Sequence, residues 1–384
     1  MRGPELSRRS FAAGATLAAL VPVPAFAAAP LTRAEAWRSA MERAFARNNG
    51  TGLYREHVPV QPGDPRYATE WPFSQAHIAY LDLVMAGAEA ERRYGPAFAK
   101  VREAQQRYWS ETSTTGKPGY LSAVTAPLGK GDDLYYDDNE WVGLAEVQHH
   151  LFKRDALSLR RAKAVFELIR SGWSTDPKLP SPGGVAWTQK SDNGDRNTVS
   201  NMPGAELGLR LHQFTGDRRY LDDALRYYRW TNATLQRPDG LYHDHLKLDG
   251  SINTHVWSYN QGVPVGVNVL LSQITGEKKY IAEARRIADS SYRWFVEGDR
   301  FDPEPPAFVA IFFKNLLLLE SATGERRFRD AMQAYADRIW RTRRDPETGI
   351  LKARTGRSEL IDTAAMVQIE AVLAWDPANW PTLY

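Results

Sequence analysis

Apolar residues recur every three or four positions in about twelve stretches of the chain, the spacing that gathers them on one face of an α-helix. Two kinds of stretch alternate. One kind begins near Arg33, Pro96, Asp155, Arg218, Lys278 and Arg326 and is rich in Arg, Lys and Glu on one face, which predicts outer helices with a solvated side. The other begins near Pro72, Asp138, Asn201, Ser258, Pro306 and Ser358 and is apolar around most of its circumference, as in the run from Val263 to Leu271. A helix apolar all round is buried on every side. Strict alternation of the two kinds predicts an all-α fold, a closed (α/α)6 toroid occupying residues 28–384 as a single domain. An open solenoid is the alternative, although solenoids usually repeat at shorter intervals.

Three segments share one local design: Thr215-Gly216-Asp217-Arg218-Arg219-Tyr220, Thr275-Gly276-Glu277-Lys278-Lys279-Tyr280 and Thr323-Gly324-Glu325-Arg326-Arg327-Phe328. Each offers a glycine to end one helix and an acidic residue to start the next. The aromatic residue that follows is expected to pack back on the preceding helix. These are tight helix–helix hairpins.

Ahead of the helices, Ser7-Arg8-Arg9-Ser10-Phe11 precedes an apolar, alanine-rich stretch and then Ala25-Phe26-Ala27, the order of a twin-arginine export signal cleaved after residue 27. The apolar stretch is too short to span a bilayer. The expected location is periplasmic or secreted, with no integral membrane association. Losing three positive charges and one negative charge with the signal takes the formal charge from +3 to +1. A nearly neutral chain has no electrostatic basis for binding nucleic acid or acidic lipid. With no cysteine there are no disulfides, thiolate metal sites or cysteine nucleophiles.

In an (α/α)6 ring the loops leading into the inner helices meet at one mouth, so polar residues at those starts converge. The strongest group is Asp132-Asp133-Leu134-Tyr135-Tyr136-Asp137-Asp138-Asn139-Glu140-Trp141. An acidic helix start can simply be a cap complementing the helix dipole. It can also be a pair of carboxyls of unlike protonation, because ionising one disfavours ionising its neighbour, and glycoside cleavage needs such a pair. Tyr136, Trp141, Trp187 and Tyr259 offer stacking faces for sugar rings. Asn201, Asn260 and Gln261 offer amides that both donate to and accept from sugar hydroxyls. His149-His150 and His243-Asp244-His245 lack the spacing of a zinc site and read as structural or exposed. No phosphate loop, dinucleotide fingerprint or nucleophile elbow is present, and no cofactor or metal is expected.

Tyr135-Tyr136-Asp137-Asp138-Asn139-Glu140-Trp141, the glycine-rich segment ending at Trp187, Asn197 to Asn201, and Tyr259-Asn260-Gln261-Gly262 followed by the Thr275-Gly276 hairpin together resemble glycoside hydrolase family 76, the endo-α-1,6-mannanase family. The resemblance covers most of the mature chain. It implies an endo-acting, retaining hydrolase of α-1,6-linked mannan or a related α-mannoside, with Asp137 as nucleophile and Asp138 as general acid/base. Family members often carry tryptophan where this chain has Val142 and an aromatic where it has Thr188, departures that bear on subsite shape. Fungal relatives of the family are thought to transfer the sugar to another sugar, which makes a transglycosylase the alternative enzyme. A non-catalytic carbohydrate-binding toroid is the alternative of another class. The expected partner is a polysaccharide or oligosaccharide substrate, bound by a monomer.

Overall fold

The computed structural model describes residues 25–190, 193–353 and 356–384. The expected export signal therefore lies outside the described residues, apart from Ala25 to Ala27 at the start of the first helix. Twelve α-helices follow in order: α1 (Ala25–Phe45), α2 (Glu70–Val84), α3 (Ala88–Gln105), α4 (Tyr136–Lys153), α5 (Ala156–Ser171), α6 (Met202–Thr215), α7 (Arg218–Leu235), α8 (Tyr259–Thr275), α9 (Lys278–Ser291), α10 (Pro306–Thr323), α11 (Arg327–Thr342) and α12 (Leu360–Leu373). The even-numbered helices pack on one another in sequence, and α12 returns to α2, so the inner ring closes. Each odd-numbered helix packs outside, with α1 lying on α12. This is the expected (α/α)6 toroid.

Burial follows the hydrophobic pattern. In α5 only Ser158, Ala162, Val165, Phe166, Leu168 and Ile169 are buried, a single stripe at helical spacing. In α8 every residue from Tyr259 to Leu271 is buried. Helix α10 is long and apolar enough to cross a membrane, but here it lies between α8 and α12 with Leu316 to Leu319 wholly inaccessible. Truncating any of these leucines to alanine costs about 2–5 kcal/mol.

Two helix starts differ from the pattern. Helix α1 begins at Ala25, ahead of Arg33, and α3 begins at Ala88, ahead of Pro96. A proline inside a helix forfeits one backbone bond and crowds the carbonyl four residues back. Pro96 and Arg92 both face solvent, where water can take that carbonyl, while Ala90, Tyr94, Phe98 and Val101 form one buried stripe across the interruption. Packing overrides the local signal.

The hairpins are tighter than composition suggests. Gly216, Gly276 and Gly324 take φ of 68°, 72° and 77°, the left-handed conformation that ends a helix and suits glycine. The threonines brace the turn: Thr215 Oγ1 donates to the Leu211 carbonyl (2.8 Å) and accepts from the Asp217 N–H (3.2 Å), and Thr275 repeats this with Leu271 and Glu277. Of the three expected acidic caps, only Asp217 accepts from the helix it precedes, at the Arg219 N–H. The rings of the following aromatics reach the neighbouring outer element, Tyr220 on Phe166, Tyr280 on Tyr228 and Phe328 on Tyr292. A fourth hairpin, between α4 and α5, has no glycine. Arg154 takes the left-handed conformation there (φ 55°), and Asp155 caps α5 through the Leu157 and Ser158 N–H groups.

The connections from outer to inner helices are long and carry all the short strands. β1 (His57–Val58) pairs with β7 (Ser358–Glu359), joining the first and last of these loops. β2 (Trp109–Ser110) pairs with β3 (Gly119–Tyr120), and β4 (Arg196–Asn197), β5 (His245–Leu246) and β6 (Ile252–Asn253) form a three-stranded sheet linking the loops before α6 and α8. These pairings make a collar around the mouth at which the inner helices begin. At the other end the tail after α12 folds under the ring, where Arg210 donates to the Pro381 carbonyl (3.0 Å) and Tyr384 meets Lys314 (3.3 Å).

Candidate active site

Helix α4 begins at Tyr136, two residues before the expected Asp138, and its cap residue Tyr135 makes no side-chain cap. Asp137 and Asp138 therefore stand in the first turn of the helix. Neither carboxyl is consumed as a cap. The loop before α6 runs back against the start of α4, with the Tyr136 N–H on the Trp187 carbonyl (3.0 Å) and Thr188 bridged to Tyr135. This register brings the Trp187 indole N–H to Asp137 Oδ2 at 3.1 Å, with the ring edge-on to Tyr135. Thr188, which occupies the place of the familial aromatic, is buried by that pairing.

From the α8 side comes Asp244, the middle residue of the His243-Asp244-His245 segment. Asp244 immediately precedes β5, its backbone held by Thr198 and Asn253. Its carboxylate meets His245 Nδ1 (2.9 Å) and accepts from Asn253 (3.3 Å) and Asn260 (3.2 Å). His245 Nε2 lies 3.5 Å from Asp195. Asp244 is the link between the Tyr259-Asn260 segment and Asp137, whose ionisation its charge opposes. The available signal is an aspartate between two histidines at the start of a strand.

The two aspartates sit in unlike surroundings. Burial pushes Asp137 up from 3.8 to about 7, against the pull of the Trp187 N–H and of the Asp138 and Asp137 backbone N–H groups, with the Asp244 charge adding to the rise. Asp138 is driven well above its ordinary value by its enclosed position, then by the charges of Asp137 and Glu70. Among the described residues no donor draws it down. The donors on Asp137 favour its anion, and the charges of Asp137 and Glu70 disfavour that of Asp138.

The remaining expected site residues divide. Tyr259 stacks on Phe308 (3.9 Å between centroids, 7° between planes) and feels the charges of Asp244, Asp137 and Asp138, so it borders the pair. Asn260 adjoins the same centre through Asp244, with its Oδ1 buried and without a partner among the described residues. Asn201 and Gln261 are used otherwise. Asn201 Oδ1 accepts from the Val185 N–H (2.8 Å), and its Nδ2 donates to the Val185 and Asn197 carbonyls. Gln261 clasps Tyr242 and Trp257 in the same way, and Asn139 clasps Tyr120 and Tyr135. Each amide grips both backbone groups of one loop residue and the carbonyl four positions before itself. The recurrence that suggested sugar recognition is a repeated loop clasp, and it leaves Asn201 and Gln261 no free amide atoms.

Tyr136 and Trp141 are likewise drawn inward. The Tyr136 ring lies where a side chain on Gly172 would collide with it, and its hydroxyl bonds with Gln189 and Ser171. Trp141, a turn deeper in α4, is 1 % exposed and packs near Trp71 and Tyr384. It belongs to the core of the ring. Among the described residues no group of three or more His, Asp or Glu side chains is arranged to hold a metal ion.

A closed ring of paired helices with two adjacent carboxyls in unlike surroundings at its mouth defines the class of (α/α)6 toroids with an acidic centre. The sequence profile of glycosyl hydrolase family 76 matches residues 106–340, and the chain belongs to that family. A family 76 mannosidase from Bacteroides thetaiotaomicron superimposes with a TM-score of 0.79 over 90 % of this chain and 98 % of its own, at 23 % identity. An α-1,6-mannanase from Salegentibacter superimposes with a TM-score of 0.69 over 90 % of this chain and 99 % of its own, at 22 % identity. At these identities the likeness shows the fold. A mannan endo-1,6-α-mannosidase of Saccharomyces cerevisiae is 27 % identical over 146 residues, 36 % of this chain and 32 % of the yeast protein. The chain thus spans about a third of the length of that relative, and 43 % of a Schizosaccharomyces pombe one.

Proposed function

We propose that the protein is an endo-acting, retaining hydrolase of α-1,6-linked mannan or a closely related α-mannoside. The observation that carries this reading is the Asp137–Asp138 pair in the first turn of α4, with a donor on Asp137 and, among the described residues, none on Asp138. Support for the substrate comes from the Salegentibacter mannanase, of which an inactive variant with two consecutive aspartates replaced by asparagine is described in complex with α-1,6-mannotriose.

In the first step the Asp137 carboxylate attacks the anomeric carbon while the glycosidic bond breaks, and the departing sugar oxygen takes the Asp138 proton. In the second, water gives a proton to Asp138 and its oxygen displaces Asp137 from the anomeric carbon, so the sugar leaves with its original configuration. The helix N-terminus and the Trp187 N–H stabilise the Asp137 anion that attacks first and is regenerated last. Trp187 and Tyr259 provide the aromatic walls for the flanking sugars.

Incubation with a panel of α-mannans, with products sized by chromatography, tests the reading. Shortened oligosaccharides from α-1,6-mannan are expected, and no cleavage of any α-mannan would overturn it. Asp137→Asn should be inactive on every substrate. Asp138→Asn should still react with an activated aryl mannoside, and azide should capture the sugar with α configuration. The reverse pattern would exchange the two roles.

We also propose that the chain is exported by the twin-arginine route and acts as a monomer outside the cytoplasm. Mass spectrometry of the secreted protein should find Ala28 first, and a mature form retaining Arg8 and Arg9 would contradict export by this signal.

A further inference from the structure

We propose that Arg196, the first residue of β4, is a positioning residue for the nucleophile: it holds the loop that carries Trp187 so that the indole N–H meets Asp137. The inference rests on the reading of Asp137 as the nucleophile. Arg196 is fully buried, and its guanidinium forms no ion pair among the described residues. It is spent on backbone carbonyls instead. One terminal nitrogen donates to Ser181 (2.8 Å) and Gly183 (2.9 Å), and the other donates to Pro180 (2.8 Å).

Those carbonyls converge because the loop turns repeatedly into the left-handed conformation, at Ser181 (φ 45°), Gly183 (φ 103°) and Gly184 (φ 82°). A side chain on Gly183 would come within 2.7 Å of the Trp173 ring, and one on Gly184 within 2.7 Å of the Trp230 ring. Two adjacent glycines leave a free chain many conformations, so contacts from outside must select this one. A planar fork of donors serves three carbonyls at once, which the compact ammonium of a lysine matches poorly.

From the glycines the loop runs on to Trp187. The Asp195 carbonyl, one residue before the guanidinium, accepts the Trp187 N–H (2.8 Å), and the Trp187 carbonyl accepts from the Tyr136 N–H (3.0 Å). Asp195-Arg196 therefore grips both ends of the stretch between residues 180 and 187, and the indole nitrogen lies 3.1 Å from Asp137 Oδ2. Asp137 is also faced by Asp138 and Glu140 on its own helix, Glu70 on α2, Asp244 ahead of β5 and Tyr259 at the start of α8, none of them a cation. Among the described residues the Trp187 N–H is its one side-chain donor. Displacing a catalytic contact by about 1 Å can cost about 100-fold in rate, so the aim of a glycine-bearing loop matters to the chemistry.

Arg196→Met removes the donors, and Arg196→Lys keeps the charge without the fork. In a pH profile of kcat/KM on an α-1,6-mannooligosaccharide, the acid limb reports ionisation of Asp137. Losing the indole donor disfavours the anion, so Arg196→Met should move this limb up by about one pH unit. Arg196→Lys should move it part of the way, and it serves if the methionine variant does not fold. Trp187→Phe should move the limb at least as far. Adding Arg196→Met to Trp187→Phe should move it no further, because the contact that the arginine positions is already gone. A lower Tm with the wild-type limb, or a shift that adds to that of Trp187→Phe, would overturn the proposal. Full activity of Asp137→Asn on mannan would instead locate the failure in the assignment of the nucleophile.

Discussion

Asp137 is costly to the fold at neutral pH, and Asp137→Asn is expected to make the protein inactive but more stable. In the unfolded chain the carboxyl titrates near its ordinary 3.8, whereas burial raises it to about 7 in the folded chain. Between those values the folded state binds more protons than the unfolded state, so stability falls as pH rises through the window and levels off above it. At about 1.4 kcal/mol for each pH unit, the whole window is worth about 4 kcal/mol. Asparagine has no charge to lose and can still accept the Trp187 N–H, so the variant escapes this penalty. For 384 residues, an unfolding entropy of about 2 cal/mol/K per residue converts the difference to a rise in Tm of about 5 °C at pH 7 to 8. Thermal melts of both proteins from pH 4 to 8 would measure it. The two Tm values should converge near pH 4 and separate progressively toward pH 7. A gap that is constant across the range, or a variant less stable than wild type at pH 7, would refute the argument that the nucleophile is held ionised against its surroundings.

Trp187→Phe keeps a stacking ring and removes the donor. Hydrogen bonds to charged groups are worth about 1.5–3 kcal/mol, so the acid limb of kcat/KM should move up by about one to two pH units, and an unmoved limb would show that the indole only packs. Asn201→Leu leaves the Val185 N–H and two carbonyls buried without partners, which should cost about 2–4 kcal/mol and lower Tm while KM of the folded enzyme stays unchanged. A raised KM at full stability would restore Asn201 to the sugar. The Lys314–Asp82 pair, 2.7 Å apart and wholly buried, should lose about 3–5 kcal/mol on Lys314→Met, with most of it recovered in the double variant Lys314→Met, Asp82→Asn. Equal stability of the single and double variants would mean that the charge is not what matters there.

The ring was legible because each helix must bury a stripe or its whole circumference, and that requirement writes itself into spacing. The aspartate pair was legible because two acids at an inner-helix start are concentrated in one short segment. Asn201 and Gln261 were placed on the substrate for a physical reason: the same amide that suits a sugar hydroxyl suits a peptide group, and composition does not tell them apart. Trp141 and Trp187 differ only in depth, one a turn inside a buried helix and one on the loop above it, a distinction fixed by where α4 begins. Glu70 escaped notice because α2 was read from Pro72, which placed the acid outside the helix. Arg154 kept the α4–α5 hairpin out of the Thr-Gly repeat, because its left-handed position carried no glycine. For the amides and for Trp187, long-range pairing of the collar loops decided the outcome, and neither strand length nor local propensity records it.

The central claim is that adjacent aspartates cleave an α-mannoside through a covalent intermediate on Asp137. Proton NMR of the first product released from α-1,6-mannotetraose, recorded before mutarotation, reads the outcome at the anomeric carbon. The α anomer should appear first and the β anomer only as it equilibrates. Initial release of the β anomer would mean direct attack by water and would contradict the roles given to both carboxyls.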